Sequence, residues 1–223
     1  MNNNDAIKAR PRVPASAAET IHDFYCHSSP IILTCLTIIF LSARIYMGNW
    51  QWQDIVAPVV IFCAWPFFEW VLHVFLLHFK PRKIFGRTID IGLARKHRTH
   101  HIDPTDLSDM MISFAVFPFA VPLIAGLFLY FMPSTELAFG ALATFFALAL
   151  NYEWSHYLGH VNWCPPIEYY RRRVRLHRLH HYRNEQMWWG VSMGMGDSVL
   201  GTAPDAKSVA RSPTVNNVHG WLS

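Results

Sequence analysis

Four stretches of this chain carry little charge for long enough to cross a bilayer. They are residues 30–47 (PIILTCLTIIFLSARIYM), 55–79 (IVAPVVIFCAWPFFEWVLHVFLLHF), 110–132 (MMISFAVFPFAVPLIAGLFLYFM) and 136–158 (ELAFGALATFFALALNYEWSHYL). A membrane-spanning helix takes about 20 mostly apolar residues. Prolines in the second and third runs fit this reading, because membrane helices tolerate them. The polar connections 48–54 and 133–135 are short, whereas 80–109 and the stretch after 158 are long. This alternation predicts an all-α integral membrane fold of four transmembrane helices in two hairpins. Residues 1–29 are polar, lack a signal-peptide core and are expected to be a flexible lead-in. Residues 30–205 form the expected membrane domain, and 206–223 a C-terminal tail.

Composition agrees. Charged residues make up 15% of the chain, against about 25% in soluble domains. Basic residues are distributed unevenly. Lys8, Arg10 and Arg12 precede the first run. Lys80, Arg82, Lys83, Arg87, Arg95, Lys96 and Arg98 follow the second. Arg171, Arg172, Arg173, Arg175, Arg178 and Arg183 follow the fourth, and neither short connection has any. The positive-inside rule puts both termini and both long basic segments on the cytoplasmic face. Trp163, Trp188 and Trp189 are candidate interfacial anchors, with packing in the core of the cap as the alternative for each. A net charge of +4 without a nucleic-acid-binding motif gives no reason to expect nucleic acid as a partner. The four cysteines are scattered, with no C-x-x-C, which argues against a disulfide framework or a cysteine metal site.

The histidines change the picture. Ten of thirteen fall in four clusters: His73 and His78; His97, His100 and His101; His156 and His160; His177, His180 and His181. All lie at the ends of the second and fourth runs or in the basic segments after them, on one predicted side of the membrane. Residues three and four apart share a helix face, so three of the clusters each point one way. His73 and His78 are five apart, about 140° around an ideal α-helix. They can meet one site only where the helix unwinds or bulges. His22, His27 and His219 are isolated and read as ordinary surface or interfacial residues.

Ten imidazoles exceed what one ion takes and suit two. A structural zinc site would normally recruit cysteine, so two redox-active irons with open positions fit better. The halves echo each other: FFEWVLHVFLLH precedes HRTHH, and NYEWSHYLGH precedes HRLHH. Two similar half-sites, one from each hairpin, are expected to meet around a two-metal centre. Glu69 and Glu153, four and three residues before a histidine, are candidates to accept the outer N–H of a metal-bound imidazole, with snorkelling from a span end to the interface as the alternative. Asp103 is a third candidate, with a plain turn role as its alternative.

The series H-x4-H, H-x2-H-H, H-x3-H, H-x2-H-H resembles the fatty acid hydroxylase superfamily, which includes sterol desaturases, methylsterol oxidases and carotenoid hydroxylases. The resemblance covers about 60–205. YEWSHYLGH as the third cluster and the later GVSMGMGDSVLGT are similar to the fatty acid 2-hydroxylases that act on ceramide acyl chains. The resemblance implies a four-helix membrane bundle under a cytosolic helical cap that holds two metals. It also implies a non-haem di-iron, O2-dependent hydroxylase of a membrane lipid's acyl chain, with zinc able to substitute in purified protein. A desaturase or a sterol or carotenoid oxygenase on the same irons is the alternative. Some relatives carry a fused haem electron-transfer domain. The first thirty residues are too short for one, so a separate reductase or electron carrier is the expected partner. A metal transporter would place its sites within the membrane along a path, and a haem carrier would need axial ligands on facing helices.

Overall fold

The computed structural model of the protein describes residues 12–108 and 110–220. Helix α1 (Ala17–Phe24) starts at a capping box: the Ser16 side chain accepts from Glu19 N, while Glu19 accepts from Ala15 N. Then come α2 (Ser28–Met47), α3 (Gln53–Val71), which runs on as a π-helical segment Leu72–Leu77, a hairpin of β1 (Arg82–Ile84) and β2 (Arg87–Ile89), and α4 (Gly92–Ile102). Helices α5 (Phe117–Phe131), α6 (Thr135–His160), α7 (Glu168–Tyr182) and α8 (Met195–Val199) follow. Four helical stretches are long and apolar enough to cross a membrane: Ser28–Met47, Gln53–Leu77, Phe114–Phe131 and Thr135–His160. Each overlaps one of the four apolar runs.

The spans are organised around α6. It packs on α2, α3, α5 and α7, and α2 packs on α6 far more than on its sequence neighbour α3. Small residues of α6 suit this packing: Ala138 and Ala141 are fully buried, and a Cβ on Gly140 would lie 3.8 Å from the Arg44 side chain of α2. Phe40 of α2 then stacks on Phe146 of α6, ring centroids 5.7 Å apart. The turn after α2 is fixed by Arg44, which donates to Asp54 Oδ1 at 2.6 Å and to the Gly48 carbonyl, and lies 4.0 Å from the Trp50 ring centroid. Trp50 and Trp52 are exposed at this end of the bundle.

Both end segments pack on the rest of the chain. Residues 1–11 lie outside the described residues, but the rest of the lead-in is built into the fold. Phe24 of α1 is buried against Trp154 and Tyr157 of α6, with centroids 4.9 and 5.3 Å away. Asn162 N donates to Pro14 O, and Tyr157 donates to Asp23 Oδ2 at 2.7 Å. An aromatic face on α6 gives this polar-looking segment something to cover. The tail likewise packs on the end of α7 and the chain just after it: Arg183 Nε donates to Val209 O, Ser212 N to Arg183 O, and Ser212 and Thr214 hydroxyls to the buried Glu185. Val215 and Val218 are buried.

Because Phe24 is the main apolar anchor of α1, Phe24→Ala should destabilise the protein by about 3–5 kcal/mol, as large-to-small core substitutions do. Unfolding in mixed detergent micelles measures this. A loss near zero would mean that α1 is not docked.

Candidate metal centre

The α3 helix reaches the site through its π-helical segment. There the His78 amide donates to the His73 carbonyl at 3.0 Å, an i→i+5 bond. The wider turn brings residues five apart onto one face, which an α-helix would not do. Helices α4 and α7 present His97, His100, His101 and His177, His180, His181, and the last turns of α6 present His156 and His160. All ten are buried.

They form two nests. His73, His78, His97, His101 and His180 make one, and His100, His156, His160, His177 and His181 the other; within each, ligand-capable nitrogens lie within 4.8 Å of one another. The expected division into one half-site per half of the chain therefore needs correcting. Each nest takes four histidines from one half and one from the other, and the exchanged residue is the middle histidine of H-R-x-H-H both times. The reason is helical. Consecutive residues sit about 100° apart, so His97 and His101 face one nest while His100 faces the other. His177, His181 and His180 repeat this. The two final histidines, His101 and His181, stack where the nests meet, centroids 4.1 Å apart and planes at 28°.

The nitrogens suit metal ions. His73 Nε2 lies 3.2 Å from His97 Nε2, which lies 3.1 Å from His78 Nε2. In the second nest His160 Nε2 lies 3.1 Å from His100 Nε2 and 2.9 Å from His177 Nε2. Two ligands at right angles on one ion, with bonds of ~2.1 Å, stand about 3 Å apart. Nε2 of His101, His156, His180 and His181 is buried with no partner. Each such orphan costs about 1–3 kcal/mol unless something satisfies it. Burial, and next the neighbouring imidazoles, hold the pKa of His97, His100, His101, His177, His180 and His181 well below the ordinary value. They are neutral near pH 7, the form that ligates.

Outer nitrogens bond to the backbone. His73 Nδ1 donates to Trp189 O at 2.6 Å, His180 Nδ1 to Met187 O at 2.8 Å and His101 Nδ1 to Val215 O at 3.4 Å. A carbonyl can only accept, so the proton sits on Nδ1 and Nε2 is left for the nest. The carboxylates do other work than expected. Glu69 accepts from Ser192 N, Ser192 Oγ and Met193 N, and Glu153 from Ser29 Oγ and Ile112 N. They tie the chain after α7, and the start of α2, to the spans. Asp103 accepts from Thr105 N and Oγ1 in a turn that ends α4. Trp188 and Trp189 are buried rather than interfacial, and the Trp189 ring contacts His73, His78 and His180. Trp163 is half-buried against the Tyr157–Leu158 core. His219 is exposed as expected, yet it is not isolated: it donates to His78 O at 2.7 Å. His22 and His27 sit away from the nests, near Cys26 and Asp23.

Sequence reasoning missed the arginine in each H-R-x-H-H. Arg98 donates to Phe79 O at 3.0 Å, and Arg178 to Gly159 O and Val161 O at 2.8 and 2.7 Å. Each clamps the backbone beside the second histidine of the preceding pair, and their equal place in the motif was the available signal. Also missed were Asp197, which accepts from Trp189 N and Gly190 N, and Gly159, where a Cβ would lie 2.6 Å from the His177 ring.

A helical membrane domain ending in two buried five-histidine nests defines a membrane protein with two candidate metal sites. The family model for fatty acid hydroxylase matches residues 58–202, and the chain belongs to that family. It is 29% identical over 182 residues to dihydroceramide fatty acyl 2-hydroxylase FAH1 of Arabidopsis thaliana, covering 80% of this chain and 73% of that protein. It is 28% identical to FAH2 of the same plant over 66% of this chain and 60% of that one. With the ceramide very long chain fatty acid hydroxylase SCS7 of Saccharomyces cerevisiae (strain ATCC 204508 / S288c) it shares 29% over 161 residues, 39% of that protein's length. The structure of full-length scs7p, in which only the hydroxylase domain is visible, has the same fold: TM-score 0.68, 22% identity, 82% of this chain and 68% of that one.

Metal-free protein should be acid-sensitive. Above about pH 6.5 the six histidines of α4 and α7 are neutral both folded and unfolded and leave stability unchanged. Below it the unfolded chain takes up protons that the folded chain resists, so stability falls as pH falls toward the lowered folded values. Each group contributes up to ~1.4 kcal/mol per pH unit. Unfolding titrations of chelator-treated protein between about pH 7 and pH 5 test this; a flat profile would contradict the burial.

Proposed function

We propose that this chain is a di-iron, O2-dependent hydroxylase that acts on the fatty acyl chain of a membrane lipid. One observation carries the reading: an apolar cavity of about 280 Å³ inside the bundle extends to residues next in the chain to His73 and His78. Its wall runs from Ile124, Phe145 and Phe146 in the spans to Leu72 and Leu77, beside His73 and His78, and to Tyr152, whose ring lies 6.1 Å from that of His156. Such a slot suits a hydrocarbon chain and excludes water, and buried imidazole nests close to its wall suit reactive metals better than transport. The names of the relatives point to a ceramide or dihydroceramide acyl group as the substrate.

The ten clustered histidines hold the two irons, which when bound supply the O2 activation that amino-acid side chains lack. The chain's own part is positional. The Trp189, Met187 and Val215 carbonyls orient His73, His180 and His101, and the leucines and phenylalanines of the cavity wall hold the acyl chain. A separate donor protein supplies electrons. The spans run as two antiparallel pairs, with both termini, the cap and the nests on the cytoplasmic face, in keeping with the basic segments around them.

Elemental analysis of purified, iron-loaded protein should approach two metals per chain. Reconstituted with a reductant, the protein should add one oxygen to a ceramide acyl chain; loss of two hydrogens instead would assign a desaturase. His101→Ala and His181→Ala should abolish turnover, since each removes a ligand and the stacked wall between the nests. Retained turnover with full metal occupancy would overturn the di-iron reading.

Orientation has its own test. A reporter after Ser223 should be active on the cytoplasmic side and one at Gly48–Asn49 on the other. The reverse pattern would separate the nests from cytosolic electron donors.

A further inference from the structure

The excursion between α3 and α4 is the least explained part of the molecule. Strands β1 and β2 pair antiparallel, Arg82 opposite Ile89, Lys83 opposite Thr88 and Ile84 opposite Arg87, and all six residues are exposed. The turn is Phe85–Gly86, with φ of 50° and 75°. Two consecutive positive φ values suit Asn-Gly; a bulky residue there is strained. Phe85 is nevertheless kept there, and it is 100% exposed. The hairpin thus spends backbone strain to hold out an aromatic ring that none of the described residues covers. Strain of this kind at an exposed tip points to a partner.

The flanking chemistry identifies the partner. Pairs directly opposite share a face, so Arg82, Ile84, Arg87 and Ile89 line one side, while Lys83 lies on the other. Residues 79–89 contain no carboxylate. The first acid, Asp90, is occupied by Arg95 at 3.1 Å and Arg98 at 2.7 Å. Basic, aliphatic and aromatic side chains together are what a lipid headgroup layer binds. The location agrees, because the hairpin begins five residues after Leu77, the last residue of the second span. Its root is fixed: Arg98, on α4 between His97 and His100, holds both Phe79 O and Asp90.

We propose that the β1–β2 hairpin is an interfacial anchor. Phe85 enters the headgroup layer of the leaflet nearest the nests, and Arg82, Lys83 and Arg87 bind the phosphates of anionic lipids there. Through Arg98 the anchor sets the height of α4 and its histidines over the bilayer.

The test uses the full chain with Cys26, Cys35, Cys63 and Cys164 replaced by Ser and Phe85→Cys labelled with the fluorophore NBD. It is reconstituted in phosphatidylcholine vesicles with and without phosphatidylglycerol. The same label at Lys207→Cys, exposed on the tail, gives the water reference. The Phe85 label should show blue-shifted emission and quenching by headgroup-proximal nitroxide lipids, both stronger with phosphatidylglycerol. Combined Arg82→Gln, Lys83→Gln and Arg87→Gln should remove that lipid dependence. Should Phe85→Cys not insert, Thr88→Cys serves as the reporter. Emission and quenching equal to the reference in both vesicle types would overturn the anchor. So would a label that is water-like in vesicles and protected only by an added acidic soluble protein, which would assign the hairpin to a protein partner. Product formation does not enter these readouts, so the anchor and the proposed hydroxylation stand or fall separately.

Discussion

Burying ten imidazoles together is the constraint from which the rest of the structure follows. Neutral nitrogens with no partner are costly inside a protein, and side chains packed this closely cannot satisfy one another in full. The arrangement makes sense when metal ions take the nitrogens, and it must be held in place before they bind. That requirement accounts for the features around the nests. The π-helical segment turns His78 toward His73. Three backbone carbonyls fix ring protons on Nδ1. The described part of the lead-in and the tail, both polar in sequence, are recruited as packing against α6 and the end of α7.

The twice-repeated H-R-x-H-H has a structural explanation that neither copy carries alone. The outer histidines of each motif serve their own nest, the middle one crosses to the other, and the arginine clamps the preceding histidine pair. Two copies related in this way interlock, so neither nest is complete without the other half of the chain. This links the halves at the nests, in addition to the packing of α2 and α3 on α6. Glu69 and Glu153 fit the same logic. Each fastens a distant segment to the spans just before a histidine pair and so acts on the nests through the backbone.

Much of this was legible in the sequence. The spans were visible because crossing a bilayer demands an unbroken apolar run, which no tertiary context can hide. The ten histidines stood out because a candidate metal site calls for their residue type and helical geometry for their spacing; even the need for a bulge between His73 and His78 followed from the angle between them. The tertiary structure decided everything that depends on partners distant in the chain. Whether Glu69 meets an imidazole or the Ser192 amide, whether Trp189 faces lipid or a histidine nest, and which nest receives His100 all turn on how α3, α4, α6 and α7 meet. Periodicity gives the direction of a side chain on its own helix, but not what stands opposite it.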